Sequence, residues 1–103
     1  MSLRFFKTSS NVMRVYKISS KNTDKIYIGK TTQKYLSTRF AVHNYHYKLH
    51  QKNLFNYISS FDVLKHGDCK IECLFICTDI EELNKKEKQF IWSNLDIAVN
   101  KRY

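Results

Sequence analysis

The chain has 103 residues, of which 43% are hydrophobic and 15% aromatic. This length predicts one small domain with a single core, and the apolar content excludes an intrinsically disordered tail. No apolar run approaches the roughly 18 residues of a membrane span, and residues 1–10 lack the apolar stretch of a secretory signal. We therefore expect a flexible leader over residues 1–12 and a single domain over residues 13–103.

The excess positive charge lies in the first half of the chain. The formal net charge is +9. Residues 1–52 carry 11 basic and 1 acidic residue, a net of +10, whereas residues 53–103 carry 7 basic and 8 acidic residues, a net of −1. This asymmetry favours a polyanionic partner such as nucleic acid on the first half. The alternative is a solvated basic surface that serves solubility.

Two short β-forming runs, residues 15–18 and 26–29, flank a polar cluster and predict a β-hairpin. If the turn is centred on residues 21 and 22, Tyr16 lies directly opposite Tyr27, with their Cβ atoms about 5 Å apart on one face. A β-bulge would change this register.

A helix is predicted over residues 32–48. One stripe of this segment carries Leu36, Phe40, His43 and Tyr47 at steps of three and four. Arg39 lies at the edge of the stripe, four residues before His43, so the two side chains are neighbours.

A second helix is predicted over residues 54–66. Asn53 suits its N-cap and Gly67 its C′ position. Its apolar face would consist of Leu54, Tyr57, Ile58, Phe61 and Leu64.

Residues 69–77 alternate in polarity and are rich in β-formers, which predicts a third strand. The spacing of Cys69, Cys73 and Cys77 would place all three on one strand face with Ile71 and Phe75. We interpret them as small apolar residues in a reducing compartment rather than as metal ligands.

The last predicted helix runs from a capping box at Thr78 and Glu81 to about Leu95. Glu87 lies on its apolar stripe, between Leu83 and Ile91. A carboxylate there needs a salt bridge, a bound cation, or a stem that packs while its head reaches water.

The chain resembles the GIY-YIG endonuclease superfamily. Arg14-Val15-Tyr16 matches the first half of the signature with arginine in place of glycine, and Tyr27-Ile28-Gly29 matches the second half. The resemblance spans residues 13–100. The element order predicts an α+β fold, a small three-stranded antiparallel sheet with three flanking helices in the order β-β-α-α-β-α.

The resemblance implies six catalytic residues and one metal ligand. The catalytic residues are Tyr16, Tyr27, Arg39, His43, Glu87 and Asn100. Glu87 would bind a single Mg²⁺ or Mn²⁺ ion, a hard cation that prefers oxygen ligands. Asn94 is a rival to Asn100 for the last position.

The remaining expectations concern the substrate. Arg39 suits the non-bridging phosphate oxygens, and Gly29, Lys30 and Lys34 are candidates for nucleic-acid binding. Either Tyr16 or His43 is the general base, and the residues alone do not decide between them.

We expect a metal-dependent DNA endonuclease. The alternatives are a nucleic-acid-binding module with the same fold and no activity, and an interaction domain without a nucleic-acid role. Either the DNA target is recognised by its structure, or a homodimer or a partner protein supplies target selectivity, or the chain is a catalytic fragment of a longer protein. We also expect an intracellular, reducing location and a viral or mobile-element origin.

Overall fold

The computed structural model describes residues 12–100. It has a three-stranded antiparallel sheet and three helices in the order β-β-α-α-β-α, which confirms the predicted α+β fold. The elements are β1 (Met13–Ser20), β2 (Thr23–Thr31), α1 (Leu36–Gln51), α2 (Phe61–Leu64), β3 (Cys69–Cys77) and α3 (Ile80–Ser93). The predicted leader lies outside the described residues, apart from residue 12. No helix within residues 12–100 is long and apolar enough to cross a membrane.

The sheet separates two apolar clusters. The strand order β2-β1-β3 places β1 in the middle, and its side chains are buried on both faces. Val15 belongs to the cluster beneath α3, with Ile28 and Leu83. Tyr16 and Ile18 belong to the cluster beneath α1 and α2. Neighbouring residues of β1 therefore serve different helix layers, because successive side chains of a strand point to opposite faces.

The hairpin forms as predicted but in a different register. A bulge between Ser19 and Ser20 shifts the pairing, so Tyr16 lies opposite Gly29 rather than opposite Tyr27. The prediction of a direct Tyr16–Tyr27 pair is therefore wrong. The two tyrosines are diagonal neighbours on one face, with ring centroids 6.4 Å apart.

β3 covers the predicted residues, but a second bulge divides it. The pairing with β1 shifts between Val15 and Tyr16, which leaves Leu74 as an extra residue on β3. An extra residue reverses the face that the following side chains occupy. Cys77 thus packs beneath α3 while Cys69 packs beneath α1 and α2, and the prediction of one shared cysteine face is wrong.

The segment after α1 differs most from its prediction. Residues 54–60 are not helical. Asn53 is not an N-cap; it has φ 63° and ends α1. Its N–H donates to the His50 carbonyl and the Leu54 N–H donates to the Leu49 carbonyl, both at 2.9 Å, the paired bonds of a Schellman motif. The left-handed residue turns the chain out of the helical path, so the apolar spacing over 54–66 does not produce a long helix.

Other helix boundaries also shift. α1 begins at Leu36 rather than at residue 32. The Asp79 carboxylate accepts a hydrogen bond from the Glu82 N–H at 3.3 Å, so Asp79 and not Thr78 is the N-cap of α3. α3 ends at Ser93, before the predicted end.

Candidate active site

Tyr16 lies at the centre of a buried hydrogen-bonded network. Its side chain is fully buried in the central strand, and its hydroxyl oxygen is 2.7 Å from His43 Nε2. The Arg39 Nε–H donates to the same hydroxyl at 3.2 Å. Arg39 and His43 are four residues apart on α1, so the helix presents both side chains to β1 together. Three predicted site residues are therefore in direct contact.

Ser60 is a member of this network that the sequence did not reveal. Its Oγ lies 2.9 Å from His43 Nδ1, and the residue is fully buried. Ser60 is the N-cap residue of α2, yet its side chain makes no capping bond to that helix. Its hydroxyl serves the imidazole instead, so both ring nitrogens of His43 have a partner. The predicted helix over 54–66 hid this signal, because it placed Ser60 in a helix interior.

Tyr27 borders the network without a hydrogen bond to it among the contacts described. Its ring centroid is 5.5 Å from that of His43, in an edge-to-face arrangement. The Tyr16 and His43 rings meet edge-to-face at 5.9 Å. Three predicted site residues thus pack ring against ring, which restricts the positions that the two phenol groups can take.

Gly29 makes space for Tyr16. The two residues are paired across β1 and β2, and a Cβ atom at position 29 would overlap the end of the Tyr16 phenol ring. Gly29 is itself buried. The glycine of the second half-signature is thus required by the close approach of an aromatic ring.

Lys30 and Glu87 form an ion pair beside the network. Lys30 Nζ is 3.5 Å from Glu87 Oε1 and donates to Asn84 Oδ1 at 2.6 Å. The Glu87 side chain is 20% exposed. The sequence predicted a salt bridge, a bound cation or a solvent-reaching head for Glu87, and the structure contains the salt bridge. Asn84 and Glu87 are three residues apart, so α3 presents both oxygens to the same cation.

A cleft of about 350 Å³ is lined by one residue from each of these two groups. Lys30 and Arg39 line it, together with residues 31–33 and the apolar side chains of Ile80 and Leu83. None of the described residues that line it is acidic. Two cations in a cleft that also offers hydroxyl and amide groups suit a phosphate.

Burial sets the ionisation of the three rings. Burial raises the pKa of Tyr16 above its ordinary value, and the Arg39 hydrogen bond and charge oppose this shift. Burial, with smaller contributions from Tyr16 and Glu87, raises the pKa of Tyr27 to about 12. Burial, with Arg39 and His46, lowers the pKa of His43 to about 4. At neutral pH both phenols are therefore protonated and His43 is neutral.

Asn100 lies at the outer edge of β2 rather than in the network. Its Oδ1 accepts from the Ile28 N–H at 2.9 Å, and its Nδ2 donates to the Ile28 carbonyl at 2.6 Å. The amide thus holds the backbone between Tyr27 and Gly29. Its rival Asn94 lies at the end of α3 and donates to the Phe90 carbonyl at 2.8 Å.

Arg14, which replaces the family's glycine, does not enter the network. Its Nη1 donates to the carbonyls of Lys34 at 2.8 Å and Gln33 at 3.5 Å. It therefore anchors the loop that precedes α1. Lys34 is exposed in that loop, with its ammonium 5.4 Å from the Tyr35 ring centroid.

The residues around Glu87 fit a hard divalent ion. Glu87 Oε1 and Asn84 Oδ1 both contact the Lys30 ammonium, so two oxygen atoms already face one cation. Within residues 12–100 no group of three His, Cys, Asp or Glu side chains could hold a metal. A single carboxylate that leaves other positions to water and phosphate suits Mg²⁺ or Mn²⁺ and does not suit structural zinc.

The pKa of His43 predicts a pH dependence of stability. The unfolded imidazole has a pKa near 6.5 and the folded one a pKa of about 4, so the unfolded state binds more protons between these values. His43 therefore contributes stability above pH 6.5 that is lost as the pH falls toward 4, up to about 3 kcal/mol. Urea unfolding of the wild type and His43→Gln at pH 7, 6 and 5 measures it. We expect the difference between the two free energies of unfolding to shrink at low pH. The control His66→Gln, a change at an exposed histidine, should show the same pH dependence of the free energy of unfolding as the wild type. A constant difference would contradict the prediction.

Comparison with known families identifies the domain. A family model of the GIY-YIG catalytic domain matches residues 12–100. Comparisons with curated proteins and with solved structures return no match. The matched span covers all six elements and every predicted site residue. The chain belongs to the GIY-YIG family, whose catalytic domain is a nuclease domain.

Proposed function

We propose that the protein is a DNA endonuclease that hydrolyses phosphodiester bonds with the help of one Mg²⁺ or Mn²⁺ ion. The observation that carries the proposal is the buried contact of Arg39, Tyr16 and His43 beside Glu87. In-line hydrolysis needs an activated water, neutralised phosphate charge and assistance to the leaving oxygen. Each requirement has a candidate among these residues and Lys30.

Tyr16 and His43 act together in activating water. The two candidates for the general base are in hydrogen-bond contact at 2.7 Å. When Nδ1–H of neutral His43 donates to the Ser60 hydroxyl, Nε2 carries a free lone pair. It then accepts a hydrogen bond from the Tyr16 hydroxyl and is positioned to take its proton. Tyr16 can then take a proton from water as it passes its own to His43, so a free phenolate never has to accumulate. Burial raises the pKa of Tyr16 and so disfavours a preformed phenolate. The lowered pKa of His43 means that the imidazolium formed in the relay is short-lived.

Arg39 and Lys30 bind the scissile phosphate. Arg39 donates its Nε–H to Tyr16, and the fork of its guanidinium can reach the non-bridging oxygens. Lys30 lines the same cleft and carries a second positive charge. Lys34 and the backbone at Gly29 remain predicted contacts to the nucleic acid.

Glu87 would hold the metal ion, with Asn84 beside it. When bound, the ion supplies charge neutralisation at the phosphate and the leaving oxygen. The Lys30 ammonium, 3.5 Å from Glu87, has to give way or share the carboxylate when the ion binds.

A non-catalytic binding module is the second candidate. The altered first half-signature favours it, because arginine stands where the family has glycine. Arg14 bonds to the loop before α1, however, and leaves the Tyr16 network intact. This arrangement favours the endonuclease.

Cleavage by Glu87→Gln tests the proposal. Supercoiled, linear and branched DNA are incubated with Mg²⁺, Mn²⁺ or EDTA. We expect metal-dependent cleavage by the wild type and at least a 100-fold slower rate for Glu87→Gln, because the carboxylate that holds the ion is lost. Glu81→Gln, an exposed change on the same helix, should cleave normally. A wild type that leaves every substrate intact, or equal rates for both variants, would refute the proposal.

Partners and location also remain proposals. DNA is the proposed substrate, and target selectivity comes from a second copy or a partner protein. Three free cysteines, one of them exposed, support a reducing intracellular location.

A further inference from the structure

The outer side of α1 carries positive charge and no negative charge. No acidic residue occurs between Asp24 and Asp62. Lys48 and Lys52 are both exposed near the end of α1. This surface contributes nothing to the network around Tyr16, so the proposed chemistry leaves its charge unexplained.

These lysines lie in one exposed stripe with an aromatic ring. The stripe consists of Thr38, Ala41, Tyr45, Lys48 and Lys52, all exposed and three or four residues apart. Such residues lie above one another on one helix face. Arg39 is next to the start of the stripe, and Lys48 lies about 14 Å farther along the helix axis, at a rise of 1.5 Å per residue.

Tyr45 is held at the surface rather than packed in the core. It is 61% exposed, and its ring lies 5.9 Å from that of His46. His46 in turn stacks on Phe55 at 4.1 Å. Leu54, in the loop that the Schellman motif begins, is 68% exposed. An exposed aromatic ring beside lysines suits stacking or packing against nucleotides.

The exposed side of α3 differs in charge. Glu81 and Glu82 share it with Lys85 and Lys88, all exposed. Glu81 and Glu82 lie four and three residues before Lys85, the spacing at which helix side chains of opposite charge are neighbours. The two helices therefore present similar numbers of lysines in different surroundings, and only α1 offers an uncompensated positive face.

We propose that the stripe of Tyr45, Lys48 and Lys52 binds the DNA duplex that flanks the cleavage site. Lys48 and Lys52 contact phosphates, and Tyr45 packs against a sugar or base. The inference rests on the proposed function and extends it, since the contact would begin next to Arg39 and continue along α1. At about 3.4 Å per nucleotide, 14 Å corresponds to about four base pairs beyond the scissile phosphate.

DNA binding in EDTA tests the surface separately from cleavage. Fluorescence anisotropy of a 30-base-pair duplex is measured over a range of salt concentrations for Lys48→Gln/Lys52→Gln. The matched control is Lys85→Gln/Lys88→Gln, which removes the same charge from α3. We expect the salt slope of the α1 variant to fall by about 1.8, at roughly 0.9 per phosphate contact, and its affinity to fall at least tenfold. The α3 variant should stay within twofold of the wild type.

A second pair of variants isolates the aromatic contact. Tyr45→Ala should weaken binding about fivefold or more with an unchanged salt slope, because stacking releases no counterions. Trp92→Ala, a change at a 65% exposed ring of α3, should bind as the wild type does. Equal losses for the α1 and α3 lysine pairs, or no loss for either, would overturn the inference. A wild type that binds through α1 but never cuts would refute the proposed function and leave the inference standing.

Discussion

Tyr16→Phe should reduce DNA cleavage by at least about 100-fold while DNA binding in EDTA stays within twofold of the wild type. The change keeps the ring in β1 and removes only the hydroxyl that contacts His43 at 2.7 Å and Arg39 at 3.2 Å. Loss of a general base typically costs a factor of 10² to 10⁴. We also expect about 1–3 kcal/mol of destabilisation, because partners of the hydroxyl are left unsatisfied in a buried site. Single-turnover cleavage and urea unfolding measure the two effects.

Tyr47→Phe is the matched control for that hydroxyl. Tyr47 lies on α1, and its ring packs 5.4 Å from Phe61 in the same apolar cluster as Tyr16. Removing its hydroxyl should leave the cleavage rate within about twofold. If Tyr16→Phe cuts as fast as Tyr47→Phe, the proton relay through Tyr16 is wrong.

Gly29→Ala should impair both stability and cleavage. The added Cβ would overlap the end of the Tyr16 ring, and the β1–β2 pairing prevents the backbone from moving away. We expect about 1–3 kcal/mol of destabilisation from overpacking. Displacement of the phenol from His43 and Arg39 should slow cleavage at least about 100-fold, because small misplacements of a reacting group cost this much.

Gly67→Ala provides the control for a glycine replacement. Gly67 has φ +72°, and a Cβ there would meet no atom within 4 Å. Its replacement should cost roughly 1 kcal/mol of stability through backbone strain alone. Cleavage at a temperature where both variants are folded should be normal for Gly67→Ala. Normal cleavage by Gly29→Ala would show that the Tyr16 position is not critical.

The element order and the shared helix position of Arg39 and His43 were predictable from local patterns. The apolar runs of β1 and β2, the alternation over residues 69–77 and the periodicity of α3 each specify a structure within one segment. The spacing of Arg39 and His43 places them together on α1, as the structure confirms. Their roles in catalysis, like those of Tyr27, Glu87 and Asn100, stay predictions.

The predictions that were wrong depend on residues distant in sequence or on backbone irregularities. The irregularities at Ser19 and Leu74 leave no signal in an alternating pattern, yet the first shifts the register of the hairpin and the second reverses the face of a strand segment. Asparagine is common both at the N-cap of a helix and after its C-terminus. Asn53 adopts the αL conformation and therefore ends α1 instead of beginning the next helix. Strand register and helix ends of this kind depend on how whole elements pack together, and the local spacing of residue types does not contain this information.

The sequence by itself determined that this is a small basic α+β domain of the GIY-YIG family. Only the tertiary structure decided that Tyr16 faces Gly29 rather than Tyr27, and that Ser60 completes the environment of His43. It also decided that Lys30 of β2 forms an ion pair with Glu87 of α3. The physical reason is that periodicity specifies a face, whereas contacts across a sheet depend on register, and register is set by bulges and by burial of side chains far apart in the chain.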